Sequence, residues 1–280
     1  MASISIETKK ISELDVAAEA SGDDLLLLHR ADGTGTKAVK ASVLKEFAQE
    51  PDYNNAGAHN SLFRGKNLGT SVTDAQWAAI KAGTFDDLWI GDYWVINNVT
   101  WRIAAFDYYY GSGDTACTDH HAVIVPDANL YTAQMNTTAT TDGGYAGSAM
   151  YKSNLGSAKS TINTAFSGHV LTHRKLLCTG TSSGKPAGFA WFDCAVDLLS
   201  EIMVFGTTVW GSHEGNGYSA SGEPRQLPLF ALNNSSGIRA SYWLKDICNA
   251  TTFARVGADG MAINDTASTS GGVRPAFCIY

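Results

Sequence analysis

Short stretches of alternating hydrophobic and polar residues dominate the chain, which predicts many short strands with a few helices between them. Residues 25–29 are mostly apolar and follow a turn signal, so we expect a buried strand there. Residues 31–35 carry glycines and an aspartate that favour a second turn, and residues 36–39 would return as the partner strand. Ser42 then suits the N-cap of a short helix over residues 43–47.

Two helices are predicted in the middle of the chain. The first begins at a cap formed by Ser71 or Thr73, carries apolar residues on one face through Lys81, and ends at Gly83. The second spans residues 153–166, where leucine, isoleucine and phenylalanine recur at helical spacing.

Strand patterns surround these helices. Residues 93–96 and 99–103 flank two asparagines, which indicates a hairpin, and residues 122–126 form a further strand that ends in proline. Residues 197–205 suit a helix or a buried strand equally, because periodicity does not separate the two. These patterns predict a fold of the α+β class.

Composition places the chain among folded proteins rich in loops. Hydrophobic residues make up 44% and charged residues 17% of the 280 positions, whereas about 25% charged is usual for soluble domains. This composition excludes a disordered tail, which would be poor in apolar residues, and a coiled-coil rod. With 20 basic and 27 acidic residues the net charge is −7, so nucleic acid and anionic membranes are poor partners.

Length and segment boundaries predict two domains. We expect a small domain over residues 1–50, a linker over residues 51–58 and a larger domain over residues 59–280. The chain lacks an apolar run of the roughly 20 residues that a membrane helix needs, and its start does not resemble a secretory signal. The expectation is therefore a soluble protein made in the cytoplasm.

The residues that usually carry chemistry form no recognisable catalytic motif. Five widely spaced cysteines without a C-x-x-C pair indicate buried reduced thiols and no structural zinc. Adjacent His120 and His121 would point to opposite faces of a strand and could not share a metal ion. Residues 173–175 (His-Arg-Lys) are expected to form a solvated basic spot, and the tyrosines at 108–110 suit either the core or a recognition surface. We expect no cofactor, no metal and no enzymatic activity.

The start of the chain resembles a known class of protein. Residues 10–14, 21–26 and 35–39, together with Leu44, are similar to the virion-attachment start of many phage tail-fibre and spike proteins. This resemblance implies that residues 1–50 bind other virion proteins, that the protein resides in the virion after synthesis in the host cytoplasm, and that it is a homotrimer.

A second resemblance covers the larger domain. Its end, where Gly-Val-Arg-Pro-Ala-Phe spans residues 272–277, looks like the C-type-lectin-like fold of phage receptor-binding proteins, including those diversified by retroelements. Residues 59–65, 90–94, 101–104 and 169–174 resemble structural proteins of phages and prophages of gut bacteria. So does this last part of the chain, which also includes residues 242–246 and 253–254, Val256 and Gly260. The resemblance implies a non-catalytic tail-fibre or spike protein that binds a host-cell surface protein or glycan.

Between residues 253 and 277, apolar residues and glycines form a frame, and the residues between them follow no regular hydrophobic period. This pattern is typical of a scaffold that displays a binding loop. The predicted receptor contacts are Arg255, Gly257, Ala258, Asp259, Met261, Ile263, Asn264, Asp265 and Thr269. The alternative is an ordinary surface loop in which Met261 and Ile263 fold inward.

Some features depart from related families and leave other functions open. Calcium-dependent lectins of this fold use a carboxylate-Pro-Asn motif, but here Arg225 follows Glu223 and Pro224. Calcium-mediated sugar binding is therefore not expected. One alternative is a decoration fibre attached to the capsid. Another is a spike that degrades polysaccharide with a pair of carboxylates; its candidates are Asp107, Asp114, Glu214 and Glu223.

Overall fold

The computed structural model describes residues 25–29, 36–40, 54–212, 223, 225–233 and 237–280. The chain divides into two units, Met1–Asp52 and Tyr53–Tyr280. In the first unit, β1 (Leu25–His29) pairs antiparallel with β2 (Thr36–Lys40), which confirms the predicted strands. The helix predicted after Ser42 lies outside the described residues.

The second unit contains the remaining described elements. Its helices are α1 (Ala56–His59), α2 (Asp74–Ala82), α3 (Gly144–Gly147), α4 (Gly156–Ala165), α5 (Glu201–Phe205) and α6 (Pro228–Leu232), with a π-helical turn at Met150–Asn154. Its strands are β3 (Tyr93–Ile96), β4 (Val99–Phe106), β5 (Ala122–Pro126), β6 (Tyr131–Ala133), β7 (His173–Ser182), β8 (Lys185–Cys194), β9 (Val196–Leu198), β10 (Tyr242–Ile247), β11 (Thr252–Val256), β12 (Ala262–Thr266), β13 (Gly271–Val273) and β14 (Pro275–Ile279). This mixture of helices and sheets confirms the α+β class.

Local signals account for the ends of α2. The hydroxyl of Thr73 accepts the backbone N–H of Gln76, whose side chain accepts the N–H of Thr73 in return. Gly83 ends the helix in a left-handed conformation with φ 72°. The predicted linker over residues 51–58 is too long, because α1 begins within it, where the side chain of Asn55 accepts the N–H of Ala58.

Two stretches of the sequence each contain two kinds of secondary structure. Residues 197–205 are partly strand and partly helix, since β9 ends at Leu198 and Ser200 caps the start of α5. The helix predicted from residue 153 begins as α4 at Gly156, after the π-helical turn.

The β3–β4 hairpin is confirmed, with both asparagines of its turn at positive φ.

Two five-stranded sheets and a long hairpin form the second unit. The first sheet has the order β3-β4-β5-β14-β9, so β14, near the end of the chain, lies between β5 and β9. The second has the order β12-β11-β10-β13-β6, and β7 pairs with β8. Trp94, Trp101 and Trp243 are fully buried in the shared core. In the strand order of the second sheet, β12 lies at one edge.

Gly91 provides a direct test of packing in the first part of this unit. Its φ is 86°, and a Cβ there would lie 2.1 Å from the ring of Phe63. Gly91→Ala is therefore expected to lower the free energy of unfolding by about 2–3 kcal/mol, from backbone strain and overpacking. Gly111→Ala is the matched control, because Gly111 has φ 74° but open space around its Cβ position. Equal losses in thermal unfolding of the two variants would contradict the proposed clash.

Candidate recognition surface

The β11–β12 hairpin is built by local hydrogen bonds. The strands pair in register from Thr252 opposite Thr266 to Val256 opposite Ala262. At the turn, the Gly257 N–H donates to the Met261 carbonyl at 2.7 Å and the Gly260 N–H to the Gly257 carbonyl at 2.9 Å. Gly260 has φ 89°, as expected for the left-handed position of a three-residue hairpin loop.

The apolar frame around this hairpin is buried, whereas two predicted contacts are exposed. The buried members are Phe253, Ala254, Val256, Ala267, Val273, Pro275 and Phe277. Met261 is 66% exposed and Ile263 36% exposed, so the alternative in which both fold inward is wrong. Ala258 and Asp259 are also exposed, and Asn264 is half-buried.

Arg255 does not point to solvent, contrary to the sequence prediction. It is buried because β11 is flanked by β10 and β12, and its guanidinium lies 4.7 Å from the centre of the Trp243 ring. Its Nη1 donates to Asp265 Oδ2 at 2.5 Å, and the other carboxylate oxygen accepts the Thr269 hydroxyl at 3.0 Å. Gly257 is buried as well. Four of the predicted receptor contacts therefore stabilise the hairpin itself: Arg255, Gly257, Asp265 and Thr269.

Sequence reasoning missed an exposed tryptophan next to the hairpin. Trp210 is 50% exposed and its indole Nε1 donates to the Ala262 carbonyl at 3.0 Å, at the edge of β12. Val209 beside it is 54% exposed. Val209 and Trp210 lie in a glycine-flanked polar stretch, a signal that could have drawn attention to them. We call Val209, Trp210, Met261 and Ile263 the hairpin patch.

A buried carboxylate fixes the loop that carries Trp210. Glu201 is fully buried, and its carboxylate accepts the backbone N–H groups of residues 209, 210 and 211 at 2.8 to 3.0 Å. A Cβ at Gly211 would lie 3.0 Å from Glu201 Oε2 and 3.2 Å from Asp246 Cβ, so a larger residue there would require these side chains to shift. The exposed indole is therefore held in place before any partner arrives.

Asp246 lies beneath the same loop. Its Oδ2 accepts the backbone N–H of Glu201 at 2.7 Å, and its Oδ1 has no hydrogen-bond partner among the described residues. Burial, together with the nearby Glu201 carboxylate, raises the pKa of Asp246 to about 7.

The predicted basic spot at residues 173–175 is wrong for two of its three residues. His173 and Lys175 point into the core, whereas Arg174 between them forms ion pairs with Asp114 and Asp193. The sequence favoured a solvated surface because the acidic partners of Lys175 lie far away in the chain.

Lys175 belongs to a buried ionic cluster, which we define as Lys175, Lys245, Asp197 and Glu223. Each lysine Nζ lies 2.6 to 3.0 Å from Asp197 Oδ2 and Glu223 Oε1. Burial opposes ionisation of Asp197, but the two ammonium groups outweigh it and lower the pKa of that carboxyl below its usual range. The cluster holds β7, β9, β10 and residue 223 together.

The tyrosines at 108–110 divide between core and surface. Tyr108 and Tyr109 are buried, and the Tyr109 hydroxyl accepts a hydrogen bond from Lys175 Nζ at 3.0 Å. Tyr110 is 49% exposed and stacks on His120.

The adjacent histidines differ in burial and in the hydrogen bonds of their rings. Asp107 Oδ2 lies 2.7 Å from Nδ1 of the half-buried His120, whereas the buried His121 accepts the Tyr109 N–H.

The carboxylates named for polysaccharide cleavage have other partners where they are described. Asp107 contacts His120, Asp114 pairs with Arg174 at 2.7 Å, and Glu223 lies in the buried ionic cluster. Glu214 lies outside the described residues.

The five cysteines are free thiols, which confirms the sequence prediction. Four are buried and Cys248 is half-buried. Burial raises the pKa of the Cys117, Cys194, Cys248 and Cys278 thiols, so these groups stay protonated at neutral pH.

Metal sites, membrane helices and known relatives were each considered for the chain. Within the described residues, no group of three or more His, Cys, Asp or Glu side chains is placed to hold a metal ion. The helices of the described part are too short or too polar to cross a membrane. Comparison with protein-family models, curated proteins and solved structures finds no significant match to the chain.

Proposed function

We propose that this chain is a non-catalytic phage tail-fibre or spike protein that binds a host-cell surface protein or glycan through the hairpin patch. The observation that carries the proposal is the exposure of Trp210, Met261 and Ile263 around one hairpin whose frame is buried. Exposed apolar side chains grouped in this way mark interaction surfaces more often than isolated ones do.

The chemistry of the patch suits recognition. Tryptophan is among the residues most enriched at the energetic centres of interfaces. Its loop is fixed by the Glu201 carboxylate, and Met261 follows a turn closed by backbone hydrogen bonds. A surface ordered in advance loses little conformational entropy on binding, so more of the contact energy contributes to affinity.

The remaining parts of the proposal rest on the sequence resemblance. We assign residues 59–280 a C-type-lectin-like fold, a proposal compatible with two sheets in which β14 lies inside one and the exposed hairpin forms the edge of the other. Residues 1–50 would attach the protein to other virion proteins, and a homotrimer would present three patches. Three weak sites on one particle bind far more tightly than one, because the later contacts are intramolecular.

The test is binding of the full chain to intact candidate host cells. Replacing both Trp210 and Met261 by alanine is expected to weaken binding at least 30-fold, since a central tryptophan alone contributes about 2 kcal/mol or more. The melting temperature should change little, because both side chains are at least half exposed.

Leu62→Ala is the matched control, because Leu62 is 51% exposed but belongs to the segment after α1. Host binding that survives the double replacement unchanged would reject the hairpin patch as the receptor site. A large drop in melting temperature would instead assign these side chains a structural role.

A further inference from the structure

A second surface feature lies beside the hairpin. A cavity of about 630 Å³ is lined by residues that include Phe63, Tyr93, Arg64, Arg102, Arg239 and Arg274. Its size falls in the range of small-ligand sites, roughly 300–1,000 Å³. Its wall touches the hairpin, since the Arg239 N–H donates to the Ala258 carbonyl at 3.1 Å.

The charge of this cavity contrasts with the charge of the whole chain. Four arginines and one aspartate line it, whereas the chain carries a net charge of −7. The aspartate, Asp127, already accepts two hydrogen bonds from Arg102, at 2.6 and 2.5 Å. Low-dielectric walls with a cationic excess attract anions.

Arg239 supplies donors to this cavity. Its side chain is exposed, and its guanidinium makes no hydrogen bond or ion pair within the described residues. Its backbone has φ 59°, a conformation that costs energy for a residue other than glycine and is enriched at ligand sites. Five N–H donors in a planar fork match the two oxygens of a carboxylate or phosphate.

We propose that this cavity binds an anionic saccharide, with the carboxylate or phosphate against Arg239 and the sugar ring against the wall formed by Phe63 and Tyr93. The Arg102 guanidinium already covers one face of Tyr93, 4.7 Å from the ring centre, so the sugar contacts the ring from its other side or at its edge. Arg64 and Arg102 are ion-paired with aspartates, which offset most of their charge. Arg274 donates to the Pro126 carbonyl and adds positive potential. Rigid aromatic walls supply contact area for the C–H face of a sugar. The cavity is distinct from the hairpin patch, and its ligand does not depend on the proposed receptor function.

The experiment titrates the full chain with glucuronate, glucose 6-phosphate, glucose and inorganic phosphate, with binding followed by calorimetry or ligand-observed NMR. Glucuronate, glucose 6-phosphate or both should bind at least tenfold more tightly than glucose or inorganic phosphate. The preferred anionic sugar identifies carboxylate or phosphate as the charged group. Arg239→Ala should weaken that binding at least tenfold, and added salt should weaken it too.

Arg225→Ala is the matched control, because Arg225 is exposed but packs over Tyr108 outside the cavity. It should leave binding unchanged. Equal affinity for glucose and the anionic sugars, equal affinity for inorganic phosphate, or no loss in Arg239→Ala would each overturn the proposal. The hairpin patch is tested separately on cells with Trp210 and Met261, so either result stands without the other.

Discussion

Replacing Lys245 by methionine is expected to lower the free energy of unfolding by about 3–5 kcal/mol. Lys245 Nζ lies 3.0 Å from Asp197 and 2.6 Å from Glu223, and all three side chains are almost completely buried. Methionine keeps the volume but leaves two buried carboxylates with one ammonium group, that of Lys175. Chemical unfolding of the full chain would measure the loss.

A second substitution separates charge from packing. Adding Glu223→Gln to Lys245→Met removes one uncompensated carboxylate, so the double variant should regain part of the lost stability. Lys185→Met is the matched control, because Lys185 is exposed at the start of β8 and should change stability by less than about 0.5 kcal/mol. A Lys245→Met loss as small as the control would mean that the cluster contributes no more than a surface ion pair.

The sequence predicts elements whose signals are local. The Thr73 cap and the Gly83 stop define α2 within about a dozen residues, and two asparagines define the β3–β4 turn. Each signal depends on backbone conformations available to the residues themselves, so no knowledge of distant contacts is needed.

The buried ionic cluster illustrates what local patterns do not contain. Lys175 meets partners from β9 and from residue 223, and Lys245 lies on β10. A lysine that follows another basic residue, as Lys175 follows Arg174, is most often exposed. Only the assembled sheets bring two carboxylates to it, which is why a solvated surface was the natural expectation for residues 173–175.

The candidate surface was predictable in part. Met261 and Ile263 are exposed as expected, because the apolar frame around them already fills the core. Arg255 is buried, contrary to the prediction. The pairing of the hairpin indicates why: Arg255 lies opposite Ile263, so Asp265 is its diagonal neighbour and can form an ion pair with it. Trp210 joins the patch through a contact between residues 52 positions apart, which no local pattern reveals.

Replacing Asp246 by asparagine is expected to stabilise the protein at pH 8 and to have little effect at pH 4. The folded protein raises the pKa of Asp246 from 3.8 to about 7. Folding therefore takes up a proton between these values, and the stability tied to Asp246 falls as the pH rises through the window. Above pH 7 the ionised carboxylate is buried at full cost. At about 1.4 kcal/mol per pH unit, asparagine should gain up to about 4 kcal/mol there.

Unfolding curves of both proteins from pH 4 to pH 8 provide the measurement. Burial lowers the pKa of His173 to about 3, so protonation of His173 in acid destabilises the folded state. This effect is the same in the wild-type protein and the Asp246→Asn variant, so the difference between their stabilities reports on Asp246 alone. Asp142→Asn, at an exposed position, is the matched surface control for the change from carboxylate to amide. Stabilisation that is constant across the range, or that grows toward acid, would show that Asp246 is ionised in the folded protein and that the Glu201 loop tolerates its charge.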